Sequence, residues 1–376
     1  MLSKWDDYPI HQAALPIAQT VCNDPGRYDR HWMAMHDVDL TTQVGFGLSV
    51  HPNRGIVDAS ISFCRNGRQV SVFASSRLSL DRDMLAGPLR LEVLEPMRSL
   101  RVILEEYEGI SADLTFRGVT QHIEDGRMRR EVGTTLVAER VRTVQFGEWS
   151  GRFTLDGETT VCTPDRWWGF RDRSWGSRTT GTVAEGAGNA HKSTIYFAWT
   201  LLRFPDECLL VAVNETPDGR SEARTVAVLP FLGPNERAYG EDFKITRSDV
   251  FQFDIDYRPG TRWAAHVHLT VGPRGLVHRV LEIAPVGLFL MQGLGYFHPV
   301  WKHGTDHGRD AVGTERWELA QTDPTRLENL HVQQICRAIR ADGAIGLGLF
   351  EHVAIGPHIP SGLEEGTAPR TRAAAG

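Results

Sequence analysis

The sequence predicts an all-β protein of antiparallel sandwiches or barrels, and three observations carry that expectation. The 37 Gly and 19 Pro are spread evenly along the chain. Between them lie short runs that alternate apolar and polar residues, the period of a half-buried strand. No βαβ alternation appears, so a Rossmann or TIM architecture is disfavoured. With 376 residues and roughly 150 per domain, two domains are expected.

The first strands are the plainest. Ile56 to Cys64 alternates, Asn66-Gly67 follows, and Gln69 to Ala74 alternates again; Asn-Gly between two such runs is a hairpin signal, because both residues accept positive φ. Further strands are expected at Leu100 to Glu106, Ala112 to Val119, Ser193 to Leu202, Cys208 to Asn214, Arg262 to Val271 and Leu276 to Ile283, with turns at Asp125-Gly126, Asp218-Gly219 and Asp342-Gly343. Leu327 to Ala338 is the one modest helix candidate. A division after residue 158 gives an N-terminal unit of 1–158 and a C-terminal unit of 159–361. The Gly-, Ala-, Thr- and Arg-rich stretch 362–376 is expected to be a flexible tail.

Composition narrows the function. The formal net charge is −6 and no stretch is dense in Lys or Arg, so nucleic acid is not an expected partner. No apolar run reaches the ~20 residues of a membrane span. The N-terminus meets Asp6 and Asp7 before any apolar stretch, which does not read as a signal peptide. Five cysteines, no two closer than about forty residues, offer neither a metal knuckle nor a disulfide framework. The cytoplasm is the expected compartment. Phosphate-binding loops, a GxSxG elbow and kinase motifs are absent from the sequence, so no nucleotide cofactor is expected.

Two segments concentrate chemistry. Asp165 to Arg178 holds three Trp, four Arg and two Asp in fourteen residues. If it is a strand, Arg171, Arg173 and Trp175 share one face and Asp172 and Ser174 the other. This reads either as a carboxylate oriented by arginine beside an aromatic wall or as an Arg–Asp–Trp network fastening two domains. Gly293 to Gly308 carries His298, His303, His307 and Asp306 in a Gly- and Pro-containing loop with Tyr296 and Trp301. A pocket rim is favoured there over a metal site, because no cysteine joins the histidines and Pro299 and Gly304 preclude a helical display. His266 and His268 share a strand face without a carboxylate close in sequence, and read as solvent-facing. His191 lies just before a strand, and Glu351 on a late strand can face a cavity or close a salt bridge.

On these residues the chain resembles a known family. Trp168-Gly169-Phe170-Arg171-Asp172-Arg173-Ser174-Trp175-Gly176-Ser177-Arg178 is similar to a W-G-x-R-D-x-S-W-G-x-R signature of bacterial two-domain proteins. Leu94-Glu95-Pro96, the loop from Gly295 to Gly304, and Glu351 to His358 resemble the same family. The resemblance implies two lipocalin-like antiparallel β-barrels in tandem, distantly akin to carotenoid 1,2-hydratase and to fungal lipocalin-like cyclases. The chain departs from the pattern at Arg173, where histidine is usual, so one titratable group is missing from the motif.

Residues and resemblance together lead to a cofactor-independent lyase, hydratase, isomerase or cyclase. It would work by proton transfer on a hydrophobic terpenoid, polyketide or aromatic molecule. Asp172, His191 and His298 are the candidate proton carriers and Arg171 the orienting cation. Trp168, Trp175, Arg178, Tyr196, Tyr296, Trp301, His303 and Glu351 are candidate substrate-binding residues. No metal is expected, and the sequence is compatible with a homodimer without fixing the oligomeric state. The rival reading is a carrier that holds a lipid-like molecule unchanged; polar groups at the centre of the cavity favour the enzyme, an apolar lining the carrier.

Overall fold

In the computed structural model, residue 2 and residues 10–132, 135–178, 194–239, 245–272 and 279–366 are described. They form two curled antiparallel sheets, each a half-barrel. Among the described residues, helix is confined to 3₁₀ turns of three or four residues, and none is long and apolar enough to cross a membrane.

The first sheet runs, edge inward, from Ala311–Glu318 through Arg68–Arg77, Ile56–Arg65, Thr42–His51 and Arg27–Asp37 to Trp167–Arg178. It continues through Thr135–Leu155, Ile110–Gly118, Ser99–Tyr107 and Leu89–Glu95. The second is ordered Thr246–Ser248, Ser221–Leu229, Cys208–Glu215, Ile195–Arg203, Ile345–Ile355, Val332–Arg340, Arg279–Pro285, Ala264–Val271 and Phe251–Tyr257. The first sheet therefore extends past residue 158, the expected division, to take in Trp167–Arg178. It also borrows Ala311–Glu318, which pairs with Arg68–Arg77 and covers an edge that would otherwise expose unpaired backbone.

Most strands form where the sequence places them. Asn66 and Gly67 have φ of 54° and 74°, the left-handed pair that a two-residue hairpin needs. Three details differ. Asp125-Gly126 is not a turn, because the strand Ile123–Val132 runs through it. Leu327 to Ala338 is not a helix: a single 3₁₀ turn, Leu327–Asn329, gives way to the strand Val332–Arg340, paired on both sides. There Gln334 bonds the backbone N–H and carbonyl of Ala264 at 3.1 and 3.0 Å, so a polar residue that loosened the alternation in the sequence acts as a side-chain rung of the sheet. Residues 362–364 are not a free tail, since Leu363 is buried in the second core and Arg262 donates to the Glu364 carbonyl at 2.7 Å.

Alternation fixes where each side chain goes. In Arg27–Asp37, Met33 and Met35 enter the first barrel's core with Phe46, Ile61, Phe63 and Phe153. Trp32 and Ala34 point the other way, onto a layer shared with Phe197, Trp199 and Leu201 of the second sheet. The outer faces of the two sheets thus meet in a buried seam, and the strands that form it are covered on both faces. The segment Phe289 to Leu294 lies across the first sheet within this seam, held by Gln69, whose side chain bonds the Leu290 carbonyl and N–H at 2.8 and 2.7 Å.

The glycine of the Trp168-Gly169 pair has a packing cause. A Cβ on Gly169 would lie 2.0 Å from the Ala34 carbonyl oxygen and 2.8 Å from Met35 Cα, in the neighbouring backbone. Gly169→Ala is expected to cost ~1–3 kcal/mol by forcing strands apart. This should be read as a lowered urea midpoint, and an unchanged midpoint would contradict the register.

Candidate functional site

Trp167–Arg178 pairs with Arg27–Asp37 so that Asp172 lies opposite Trp32 and Arg171 opposite Met33. Asp172 therefore faces the seam and Arg171 the first barrel. The expected orientation of Asp172 by Arg171 does not occur, because adjacent residues of a strand point to opposite faces. Arg171 instead donates to Gln145 Oε1 at 2.9 Å and to His122 Nε2 at 2.7 Å, above the Phe116 ring. Burial lowers its pKa to about 10. Arg173, on the same side, bonds Asp29 and lies over Trp175, which is likewise outside the seam.

The cation beside Asp172 is Arg142, from the neighbouring strand Thr135–Leu155, with Nε 3.7 Å from Oδ2. Arg142 also sits over the ring of Trp199 at 5.0 Å, and Trp199 and Trp32 meet at 5.5 Å between centroids. A carboxylate, a guanidinium and two indoles from both sheets so surround one spot. Across the second sheet from Trp199 is Glu351, which accepts from His331 Nε2 at 2.7 Å and from the Gln333 amide. Gln333 in turn accepts from Gln43 of the first sheet at 3.0 Å.

The polar layer continues beyond Glu351. Tyr296 stands edge-on to His331 at 4.8 Å and to His303 at 4.6 Å. His303 Nε2–H donates to the Leu294 carbonyl at 2.6 Å, leaving Nδ1, 3.3 Å away, to accept from Arg178. Burial, then Arg30 and Arg178, hold His303 well below the usual histidine range. Arg30, 2% exposed, donates to Ser49 Oγ at 2.7 Å and lies over Tyr296. Gly47 carries no side chain where a Cβ would be 2.4 Å from this guanidinium. Asp58 lies 2.9 Å from His51 Nε2. Burial alone would raise its pKa, but His51, with His303 and Arg30 beyond, outweighs burial and holds it below the ordinary value.

Of the residues singled out in the sequence, Asp172, Arg178, Tyr296, His303 and Glu351 thus share the seam. Trp168 lies under Arg203, 4.2 Å above its ring. Trp301 stacks on Phe73 at 5.7 Å. His298 accepts the N–H groups of Val300 and Trp301 at 3.0 and 2.9 Å on Nδ1 and directs Nε2 to Glu315 at 3.1 Å, which commits the ring to fixing its turn. Tyr196 belongs to the interior of the second barrel. His191 lies outside the described residues. His266 and His268 do meet a carboxylate, Glu282 of the adjacent strand, at 3.1 and 2.6 Å. Among the described residues no three such ligands converge as a metal site.

Sequence reasoning missed Arg30, Trp32, His51, Asp58, Arg142, Trp199 and His331. The available signal was a charged or aromatic residue at successive second positions, as in Tyr28-Arg30-Trp32, on a strand whose other face also sends core residues inward, here Met33 and Met35. Several of these groups leave hydrogen-bonding capacity over. Trp32 Nε1, Trp199 Nε1, Tyr28 OH and His331 Nδ1 are buried without a partner among the described residues. Buried donors and acceptors are ordinarily satisfied, so four on one seam mark a place for water or a ligand.

The chain belongs to a family of unknown function, DUF8625, whose model matches residues 2–364. Among solved structures it is similar to the crystal structure of kievitone hydratase from Nectria haematococca, with a TM-score of 0.52 and 12% identity over 94% of this chain and 96% of that one. At that identity the likeness is one of fold. No curated protein matches the chain.

The buried histidines set a pH limit on the fold. Burial lowers the pKa of His31, His122 and His352 to about 3, and His303 is also neutral when folded. On unfolding each regains an ordinary pKa near ~6.5. The stabilisation is therefore complete above about pH 6.5 and is lost as pH falls below it, by ~1.4 kcal/mol per pH unit per histidine. Urea unfolding at about pH 5 should show a clearly lower midpoint than at about pH 7.5; equal midpoints would mean that these rings take up protons while folded.

Proposed function

We propose that this member of the family is a lyase of the hydratase type, or a related isomerase or cyclase, acting by proton transfer on a hydrophobic small molecule held between the two sheets. The observation that carries the proposal is the spot where Asp172 and Arg142 meet the indoles of Trp32 and Trp199, two of whose N–H groups are buried and unsatisfied. Structural ion pairs rarely need orphaned donors beside them, whereas a site for a substrate oxygen does. The hydratase named among the similar folds supports the reaction class. A terpenoid, polyketide or aromatic substrate suits the aromatic walls.

The chemistry follows from these groups. Hydration places a proton on one alkene carbon and hydroxide on its neighbour. Asp172 delivers the proton, and the faces of Trp32 and Trp199 stabilise positive charge as it develops. The water must lose a proton as it adds. His331 is the base for that step: its Nε2–H is held by Glu351, which leaves the Nδ1 lone pair unpartnered, the orienting arrangement of an acid–histidine pair. The proton then returns to Asp172 through solvent, so the site ends as it began. Arg142 orients the Asp172 carboxylate and offsets its charge once the proton has left.

The test lets the protein identify its own substrate. Native mass spectrometry of freshly purified protein identifies any hydrophobic ligand that copurifies, and the protein is then incubated with it in D₂O. Wild type should place deuterium on ligand carbon. Asp172→Asn and His331→Gln should slow this by about 10²–10⁴-fold with melting temperatures near that of wild type. A large fall in melting temperature with undiminished exchange would make Asp172 a fastener between sheets. A ligand that never exchanges on wild type would make the protein a carrier.

A further inference from the structure

The two barrels are not equally full. The first is closed by a continuous apolar core running from Met33 to Trp167. In the second, the edge strand Phe251–Tyr257 turns Phe253, Ile255 and Tyr257 inward, yet all three stay partly accessible. They face a cavity of about 530 Å³ at the barrel mouth, bounded opposite by Val213 and Tyr196. That volume falls in the range of small-molecule sites, ~300–1,000 Å³. Arg224 latches the mouth, with Nε 3.2 Å from the Asp249 carbonyl and a second nitrogen bonding the Phe251 carbonyl.

Charged residues, Asp254, Asp256 and Arg258 among them, rim this space, and one corner of it is polar and ordered. The His358 ring, 2% exposed, stacks on Tyr196 at 3.5 Å and 13°. Its Nε2 lies 3.0 Å from Glu215 and its Nδ1 2.9 Å from Ser361 Oγ, which is 3.1 Å from the Tyr196 hydroxyl. Beside them Tyr257 O–H donates at 3.0 Å to His352 Nε2, because His352 Nδ1–H is spent on the Phe197 carbonyl at 2.8 Å. The chain presents two hydroxyls, Ser361 and Tyr196, at the end of an aromatic trough. Each can give one hydrogen bond and accept others, so a ligand hydroxyl fits them in either proton arrangement.

We infer that the mouth of the second barrel is a binding site, separate from the seam, for a hydrophobic molecule carrying a hydroxyl or phenol group. The ring system lies against Phe251, Phe253 and Ile255, and the hydroxyl bonds the Ser361–Tyr196 pair. The inference stands on the cavity and this hydrogen-bond chain and is independent of the reaction assigned to the seam.

2-Naphthol and naphthalene are the probes, titrated by fluorescence against the full chain. Wild type should bind 2-naphthol saturably and prefer it to naphthalene by about 3–10-fold, the worth of one hydrogen bond. Tyr196→Phe should erase that preference, and Ile255→Trp, which fills the trough, should weaken both probes more than tenfold. Equal affinity for the two probes on wild type, a preference that survives Tyr196→Phe, or undiminished binding by a folded Ile255→Trp would overturn the assignment. Should Ile255→Trp not fold, the probe ratio in Tyr196→Phe decides alone. Because probe binding is read without turnover, its failure leaves the seam chemistry standing, and loss of exchange at the seam leaves this site standing.

Discussion

Buried charge between the sheets is the constraint on which the rest of the structure depends. Arg30, Arg142 and Glu351 each expose less than a tenth of their surface. They sit on outer sheet faces that, in a separate barrel, would point to water. Taking such groups out of water costs several kcal/mol per ion unless a partner meets them. Partners within each half meet part of that cost, as Ser49 does for Arg30 and His331 for Glu351, and the rest comes from across the seam: Trp199 of the second sheet under Arg142, Gln43 of the first sheet on Gln333, and the Leu294 carbonyl facing Arg30 at 3.5 Å. Each half therefore completes the other, and the strand Ala311–Glu318, laid on the first sheet by the second half, ties the two together in the backbone.

That constraint also divides the chemistry by face. Period-two alternation sends Arg171 and Arg173 into the first barrel and Asp172 to the seam, so three neighbouring charges in sequence never share a site. It sends Tyr196 to the second barrel's interior and Trp199 to the seam in the same way. A single strand serves two compartments. Polar groups on the seam are shielded by both cores, while the mouth of the second half-barrel stays open.

The fold was largely legible because its signals are local. Asn66-Gly67 specifies a hairpin whatever lies around it, and alternation in Ile56 to Ala74 needs only the strand itself. What depends on distant partners was not legible. The helix expected at Leu327 to Ala338 fails because Gln333 and Gln334 look like a helix's polar face, yet one bonds Glu351 and the other the Ala264 backbone. The site was half legible: the dense run around Asp172 announced itself, and its face was given by counting residues in twos. Arg142 as its cation, and Trp32 and Trp199 as its walls, depend on register between strands far apart in the chain and on which outer faces meet. A charged residue inside a strand that also sends residues such as Met33 or Phe153 into a core from its other face was the clue available, since only a second buried surface can shelter it.

The claim that the seam is where the substrate binds is tested most directly by a crystal structure of protein purified with its hydrophobic ligand retained. The ligand should lie on the seam against Trp32 and Trp199, with an oxygen within hydrogen-bonding distance of an indole N–H and a carbon facing the Asp172 carboxyl. A seam that holds only ordered water, with the ligand found elsewhere, would contradict it.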